Sequence, residues 1–226
     1  ATNCLARAGA QPVTQAMAKC CGIVLRYLKY SREVGLEYSP AKEEEFEKVF
    51  GDLSSYDQNT ESARELAKNP IQTHTDASYG VVFKSLKSIS GVVCFLYGMP
   101  VSWRSTVQTI FTNSTMESEW VALSDGIQLE ESVYSLAHFL TNKSKEEFGL
   151  GGLWCDNRAV VHCSKRDTES LPSKSRHVSL RHAHVATQQA RISLVPTEME
   201  RADGLTKSIS PAGLMGIFNT NPIRDR

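Results

Sequence analysis

Hydrophobic and polar positions divide the chain into stretches of different period. Val13, Met17, Cys20, Cys21, Val24, Leu25 and Leu28 recur three and four apart, the spacing of one helix face. Lys19, Arg26, Lys29 and Arg32 give residues 1–38 a basic side, which both a solvated face and contact with phosphate would explain. Residues 39–70 turn acidic and polar, with turn formers at both ends, and read as a connector carrying one or two short helices. At Ile71 the period drops to two. Ile71, Thr73 and Thr75 alternate with Gln72 and His74, which predicts a strand ending at Asp76, before the small residues Ala77, Ser78 and Gly80. β-rich runs at 90–98 and 101–104, with a turn at Gly98-Met99-Pro100, complete three consecutive antiparallel strands.

A long helix follows, capped by Ser114 or Thr115, with Glu117 and Glu119 in its first turns. Trp120, Leu123, Ile127, Tyr134 and Ala137 mark its buried stripe to about Leu140. Glycines at 149–152 then break the chain before a strand at 153–156. Helices at 157–164 and 177–190, a strand at 192–196 and a last helix at 202–208 complete the order, with an irregular tail after 210. The route from the hairpin strands through a helix to 153–156 is a crossover, so that strand should lie parallel to its neighbour.

Composition changes this picture little. With 226 residues, 41% hydrophobic and 22% charged, the chain is long enough for one large domain or a domain with an appendage. Twenty-five basic residues balance 25 acidic ones, so a nucleic-acid partner would need a local basic surface. Cys4, Cys20, Cys21, Cys94, Cys155 and Cys163 lack zinc-site spacing and read as reduced thiols of an intracellular, reducing compartment. Neither a membrane-length apolar run nor a signal peptide is visible. The chain opens on Ala1 rather than Met, as a processed or partial product does.

Four acids occupy comparable places. Asp76 ends the first strand, Glu119 lies early in the long helix, Asp156 ends the fourth strand and Asp203 opens the last helix. If the first and fourth strands are neighbours, Asp76 and Asp156 lie side by side. Carboxylates crowded into a small site repel one another unless cations hold them. Oxygen-only ligation suits Mg²⁺ or Mn²⁺ rather than zinc. Two such ions would activate a water and stabilise the leaving oxygen at a phosphate. Taken singly, each acid also has a local use as a turn former or helix cap.

Longer segments carry a resemblance. SWRSTVQTIFTNSTMESEWVAL at 102–123 resembles the Trp–basic–Gln and STMEAEYxAL stretch of copia-type retrotransposon polyproteins. WCDNRAVVHCSK at 154–165 is similar to their CDNxxAIxLxxN segment, and SKSRHVSLRHAHV at 173–185 to RTKHIDIRYHFIR. VPTEMERADGLTKSI at 195–209 is close to their VPTxDQxADxLTKxL ending. IVLRYLKYSREVGLEY upstream is similar to the segment following the polymerase palm. The five segments are collinear, with weak similarity only at 39–70 and after 210.

The resemblance implies an α/β, ribonuclease H-like mixed sheet with flanking helices in residues 71–210. A helical segment, 1–38, similar to the reverse transcriptase C-terminal part, would precede it, with an acidic connector at 39–70 and a tail at 211–226. It also implies two Mg²⁺ or Mn²⁺ ions held by Asp76, Glu119, Asp156 and Asp203, and hydrolysis of the RNA strand of RNA·DNA hybrids. Glu119 matches rather than Glu117 because the family's acid directly precedes the aromatic position held by Trp120. Ser78, Asn113, Ser114, Thr115 and Asn157 would contact sugar or phosphate, and Arg176 and Arg181 would supply local positive charge. His177, His182 and His184 are candidates for a group that helps product leave. Two departures stand out: Ser179 replaces the family's acid, and residues 39–70 are longer than expected. The polymerase's own aspartates are not in this chain. The alternative is a domesticated, catalytically silent subunit of a larger assembly such as a ribonucleoprotein, with protein or RNA partners. An integrase or resolvase fits the order of the motifs less well.

Overall fold

The alternating run at Ile71 is the middle strand of a five-stranded sheet in the computed structural model, which describes residues 14–30, 32, 36, 38–51, 60–82, 85–164, 179–207 and 213. Strands β1 (Ile71–Ser78), β2 (Ile89–Leu96) and β3 (Met99–Val107) are consecutive and antiparallel. β4 (Gly152–Cys155) lies parallel to β1, and β5 (Ile192–Leu194) parallel to β4, giving the order β3-β2-β1-β4-β5. The predicted crossover is therefore present, and the fold is α/β with a mixed sheet and flanking helices.

The hairpin between β2 and β3 corrects the expected turn. Tyr97 and Gly98 both have positive φ, 51° and 73°, so they form the two-residue turn and Met99 and Pro100 begin β3. Pro100 is tolerated because β3 is an edge strand and its pairing shifts at Cys94/Phe95.

Two helical layers cover the sheet. The long helix α4 (Thr115–Thr141) packs on one face, where Leu129, Val133, Tyr134 and Ala137 meet Ile71, Val92 and Cys94. Its first turns bury Trp120, Leu123 and Ile127 against Leu153, Cys155, Val160 and Val185, joining α6 (Arg158–Ser164) and α7 (Ser179–Ala186) to the core. The 177–190 helix expected from sequence is shorter: α7 gives way to a 3₁₀ turn at Gln189–Arg191, and residues 177 and 178 lie outside the described ones. The opposite face holds Val93, Phe95, Trp154, Val195 and Ala202. Helix α3 (Thr60–Ala67) lays Ala63 and Ala67, one turn apart, on that face. Before it comes α2 (Pro40–Gly51); after β5, the 3₁₀ turn Thr197–Met199 leads into the four-residue helix α8 (Asp203–Thr206). A short helix, α5 (Lys145–Phe148), closes on Ser144 with a reciprocal capping box.

The chain divides into two units, Ala1–Glu37 and Tyr38–Arg226. The first contains α1 (Gln15–Tyr30), begun by the Thr14 hydroxyl, which accepts the Met17 N–H at 3.2 Å. Ile23, Leu25, Leu28 and Tyr30 of α1 are exposed. Val13 of the predicted stripe and the tail after 213 lie outside the described residues. Cys20, Cys21, Cys94, Cys155 and Cys163 are free thiols. No helix among the described residues is long and apolar enough to cross a membrane.

Candidate metal centre

The parallel pairing of β1 with β4 sets Thr73 opposite Leu153 and His74 opposite Trp154. Two residues further along each chain stand Asp76 and Asp156, the first near the end of β1 and the second just past β4. The third acid comes from α4. Ser114 is its N-cap and accepts the Glu117 N–H at 3.2 Å, while the Glu117 carboxylate accepts the Asn113 N–H at 2.7 Å. Glu117 is thereby engaged at the cap, and Glu119, half a turn on, faces the sheet. Asp76, Glu119 and Asp156 each bring one carboxylate oxygen to within 4.8 Å of the others.

The electrostatics of this trio are unfavourable on their own. Burial pushes the Glu119 carboxyl up to about 9, and repulsion from Asp76 and Asp156 adds to it. The Ala77 N–H and Lys207 pull the other way without balancing it. Glu119 Oε2 is buried and has no hydrogen-bond partner among the described residues. Burial likewise raises Asp76, against the hydrogen bond from Thr206 and the charge of Lys207, and Asp203 and Asp156 add repulsion. A site built only of carboxylate oxygens, one of them unsatisfied, fits a hard divalent cation.

Asp203 stands outside the trio. It opens α8, close enough to repel Asp76, and its Oδ1 binds the Lys207 ammonium four residues on. Burial disfavours the charged lysine, but Asp203, Asp76 and Asp156 together hold Lys207 above its ordinary value.

The other predicted contacts divide. Ser78 is the last residue of β1, and Ser114, Asn113 and Thr115 border the start of α4. Ser114 is committed to its cap, as is Asn157, whose side chain accepts the Ala159 and Val160 N–H groups at 3.1 and 3.2 Å. Arg181 pairs with Asp125 of α4 at 2.6 Å. Arg176 and His177 lie outside the described residues. His182 is enclosed with its ring edge-on to Trp120, centroids 4.5 Å apart, and burial lowers its pKa. His184 sits 3.2 Å from the Ser124 hydroxyl. Neither His182 nor His184 is placed as a loose group at the acids.

Sequence reasoning missed what lies around the carboxylates. Thr206 donates its hydroxyl to Asp76, and Lys207 pairs with Asp203. His74 and Glu200 meet at 3.4 Å in the buried layer below, where Glu200 also accepts the Ala202 N–H at 2.8 Å. The available signal was positional: Thr206 and Lys207 follow Asp203 by three and four residues, the helical spacing that shares a face.

No protein-family model matches the chain, and no curated protein does. Among solved structures, the chain is similar to the N-terminal ribonuclease H domain of Rv2228c from Mycobacterium tuberculosis, solved as a fusion with maltose-binding protein. That match has 14% identity and a TM-score of 0.43, over 65% of this chain and 96% of the other. It is also similar to LC11-RNase H1, isolated from compost by a metagenomic approach, at 19% identity and a TM-score of 0.41, over 61% and 92%.

Proposed function

We propose that the chain is a metal-dependent ribonuclease H of copia-type retroelement ancestry, acting on the RNA strand of RNA·DNA hybrids. The observation that carries this reading is the convergence of Asp76, Glu119 and Asp156, from two strands and a helix, with a buried carboxylate oxygen left unsatisfied. The collinear sequence segments supply the ancestry and the substrate.

Asp76, Glu119 and Asp156 would hold Mg²⁺ or Mn²⁺, with Asp203 as a further ligand. Bound there, such ions lower the pKa of a coordinated water and offset charge on a leaving oxygen. The residues themselves do the positioning. The parallel neighbours β1 and β4 bring Asp76, near the end of one, beside Asp156, just past the other, and the Ser114 cap fixes the start of the helix that bears Glu119. Lys207 brings positive charge beside the acids in a chain whose net charge is zero, which favours approach of a phosphate backbone. Ser78 at the end of β1 and Asn113 and Thr115 at the start of α4 would meet sugar or phosphate, where a 2′-OH distinguishes RNA from DNA.

The test is cleavage of a labelled RNA·DNA hybrid by purified protein in Mn²⁺ or Mg²⁺. Cleavage confined to the RNA strand is expected, falling about 10²–10³-fold or more in Asp76→Asn, the scale seen when a charge-stabilising group is removed. Activity unchanged in Asp76→Asn would overturn the reading. No cleavage at all would favour a silent subunit of a larger assembly.

A further inference from the structure

Across the three antiparallel strands, Asp76, Gly91 and Ser105 occupy one rung: Asp76 pairs with Gly91, and Gly91 with Ser105. Helix α8 lies across that rung. At one end Thr206 donates its hydroxyl to Asp76 Oδ2; at the other the Ser105 hydroxyl donates to the Leu205 carbonyl at 2.5 Å. Between them the strand is bare. A Cβ at Gly91 would stand 2.7 Å from Thr206 Cγ2, 2.8 Å from the Ala202 carbonyl and 3.0 Å from Leu205 Cβ. Two of these atoms belong to side chains, but the third is backbone and cannot swing aside. The contact distance between α8 and the sheet is therefore set by the absence of a side chain at Gly91.

We propose that this rung is a seat for α8 and that Thr206 is a positioning residue, orienting the Asp76 carboxylate for cation binding. The inference rests on the metal-centre reading above. Thr206 Oγ1 has one proton and two acceptors in reach, Asp76 Oδ2 and the Asp203 carbonyl at 3.0 Å. A carboxylate is the stronger acceptor, so the proton goes to Asp76. That bond ties up Oδ2 on one side and fixes the rotation of the carboxylate, which Glu119 and Asp156 would otherwise push away. The same seat sets the height of Asp203, the first residue of α8, so one contact positions two acids from different elements.

The test is Mn²⁺ binding, measured by electron paramagnetic resonance of free Mn²⁺ on the full chain, with Tm in EDTA recorded in parallel. Thr206→Val keeps the shape and removes the proton; Thr206→Ser keeps the proton. Thr206→Val is expected to weaken Mn²⁺ binding about 10–100-fold, the usual cost of losing a group that orients a metal ligand, while Thr206→Ser stays near wild type. Gly91→Ala should also weaken binding by displacing α8; if it fails to fold, the Val and Ser pair still decides the matter. Wild-type Mn²⁺ binding in Thr206→Val, or equal losses in the Val and Ser variants, would overturn the positioning role and leave the metal centre standing. A wild-type chain that binds no Mn²⁺, or binds it unchanged in Asp76→Asn, would overturn the metal centre and the positioning role with it.

Discussion

Glu119 concentrates the conflict at the residue scale. Its carboxyl is buried, repelled by two neighbours and pushed up to about 9, well above its ordinary value. A folded-state pKa above the unfolded one means the neutral form favours the fold. That contribution is fully present below about 4.5 and is lost as the pH rises through about 9. In EDTA, then, Tm should fall as the pH is raised across this window, and Glu119→Gln should flatten the decline. A change of about 1 kcal/mol corresponds to roughly 2–4 °C for a domain of this size. Thermal melts of both proteins from pH 5 to 9 measure it, and parallel curves would count against the burial of this charge. Glu119 was singled out from sequence because an acid precedes Trp120 in a recognisable stretch. The cap contacts that occupy Glu117 give a second reason, independent of the resemblance, for Glu119 being the acid at the centre.

Elements here are joined by buried polar contacts as well as apolar ones. Arg191, in the 3₁₀ turn that leads into β5, forms an ion pair with Glu130 in the middle of α4, and both side chains are buried. Burial drives the Glu130 carboxyl up to about 7, against the pull of Arg191 and a 3.4 Å contact with the Thr73 hydroxyl. This pair links the far edge of the sheet to the helix that carries Glu119. Arg191→Met should destabilise the chain by about 3–5 kcal/mol, because Glu130 is left as an uncompensated buried charge. Adding Glu130→Met should recover most of the loss, since a packed apolar pair avoids the desolvation of both ions. Urea unfolding of the two variants distinguishes these outcomes; a double variant as unstable as Arg191→Met would show that packing, not charge, was lost. Neither residue was legible as a partner of the other, being 61 positions apart in unrelated segments.

For the whole molecule, a cation that binds the folded chain and not the unfolded one must raise its stability. At a concentration 100 times Kd the gain is about 2.7 kcal/mol. Mn²⁺ should therefore raise Tm by several degrees, with no such rise in Asp76→Asn, as scanning calorimetry would record. The periodicities alone were enough for the strand at Ile71, the long helix, the crossover and the α/β order, because β-branched residues two apart favour a strand and apolar ones three and four apart a helix; they did not show that β1 is buried on both faces. The resemblance, not the periodicities, marked the four acids as members of one set. Local pattern failed where neighbours decide the conformation: Pro100 reads as a breaker until β3 is known to be an edge strand, and α7 ends sooner than its polar–apolar spacing predicts. What tertiary structure alone decided was the division among the acids and the support beneath them. Asp76, Glu119 and Asp156 converge because β1 and β4 are parallel neighbours under the start of α4, whereas Asp203 pairs with Lys207. Gly91 carries no chemistry of its own and sits far in sequence from Thr206. Its meaning is the space it leaves, and space between elements exists only once they are packed.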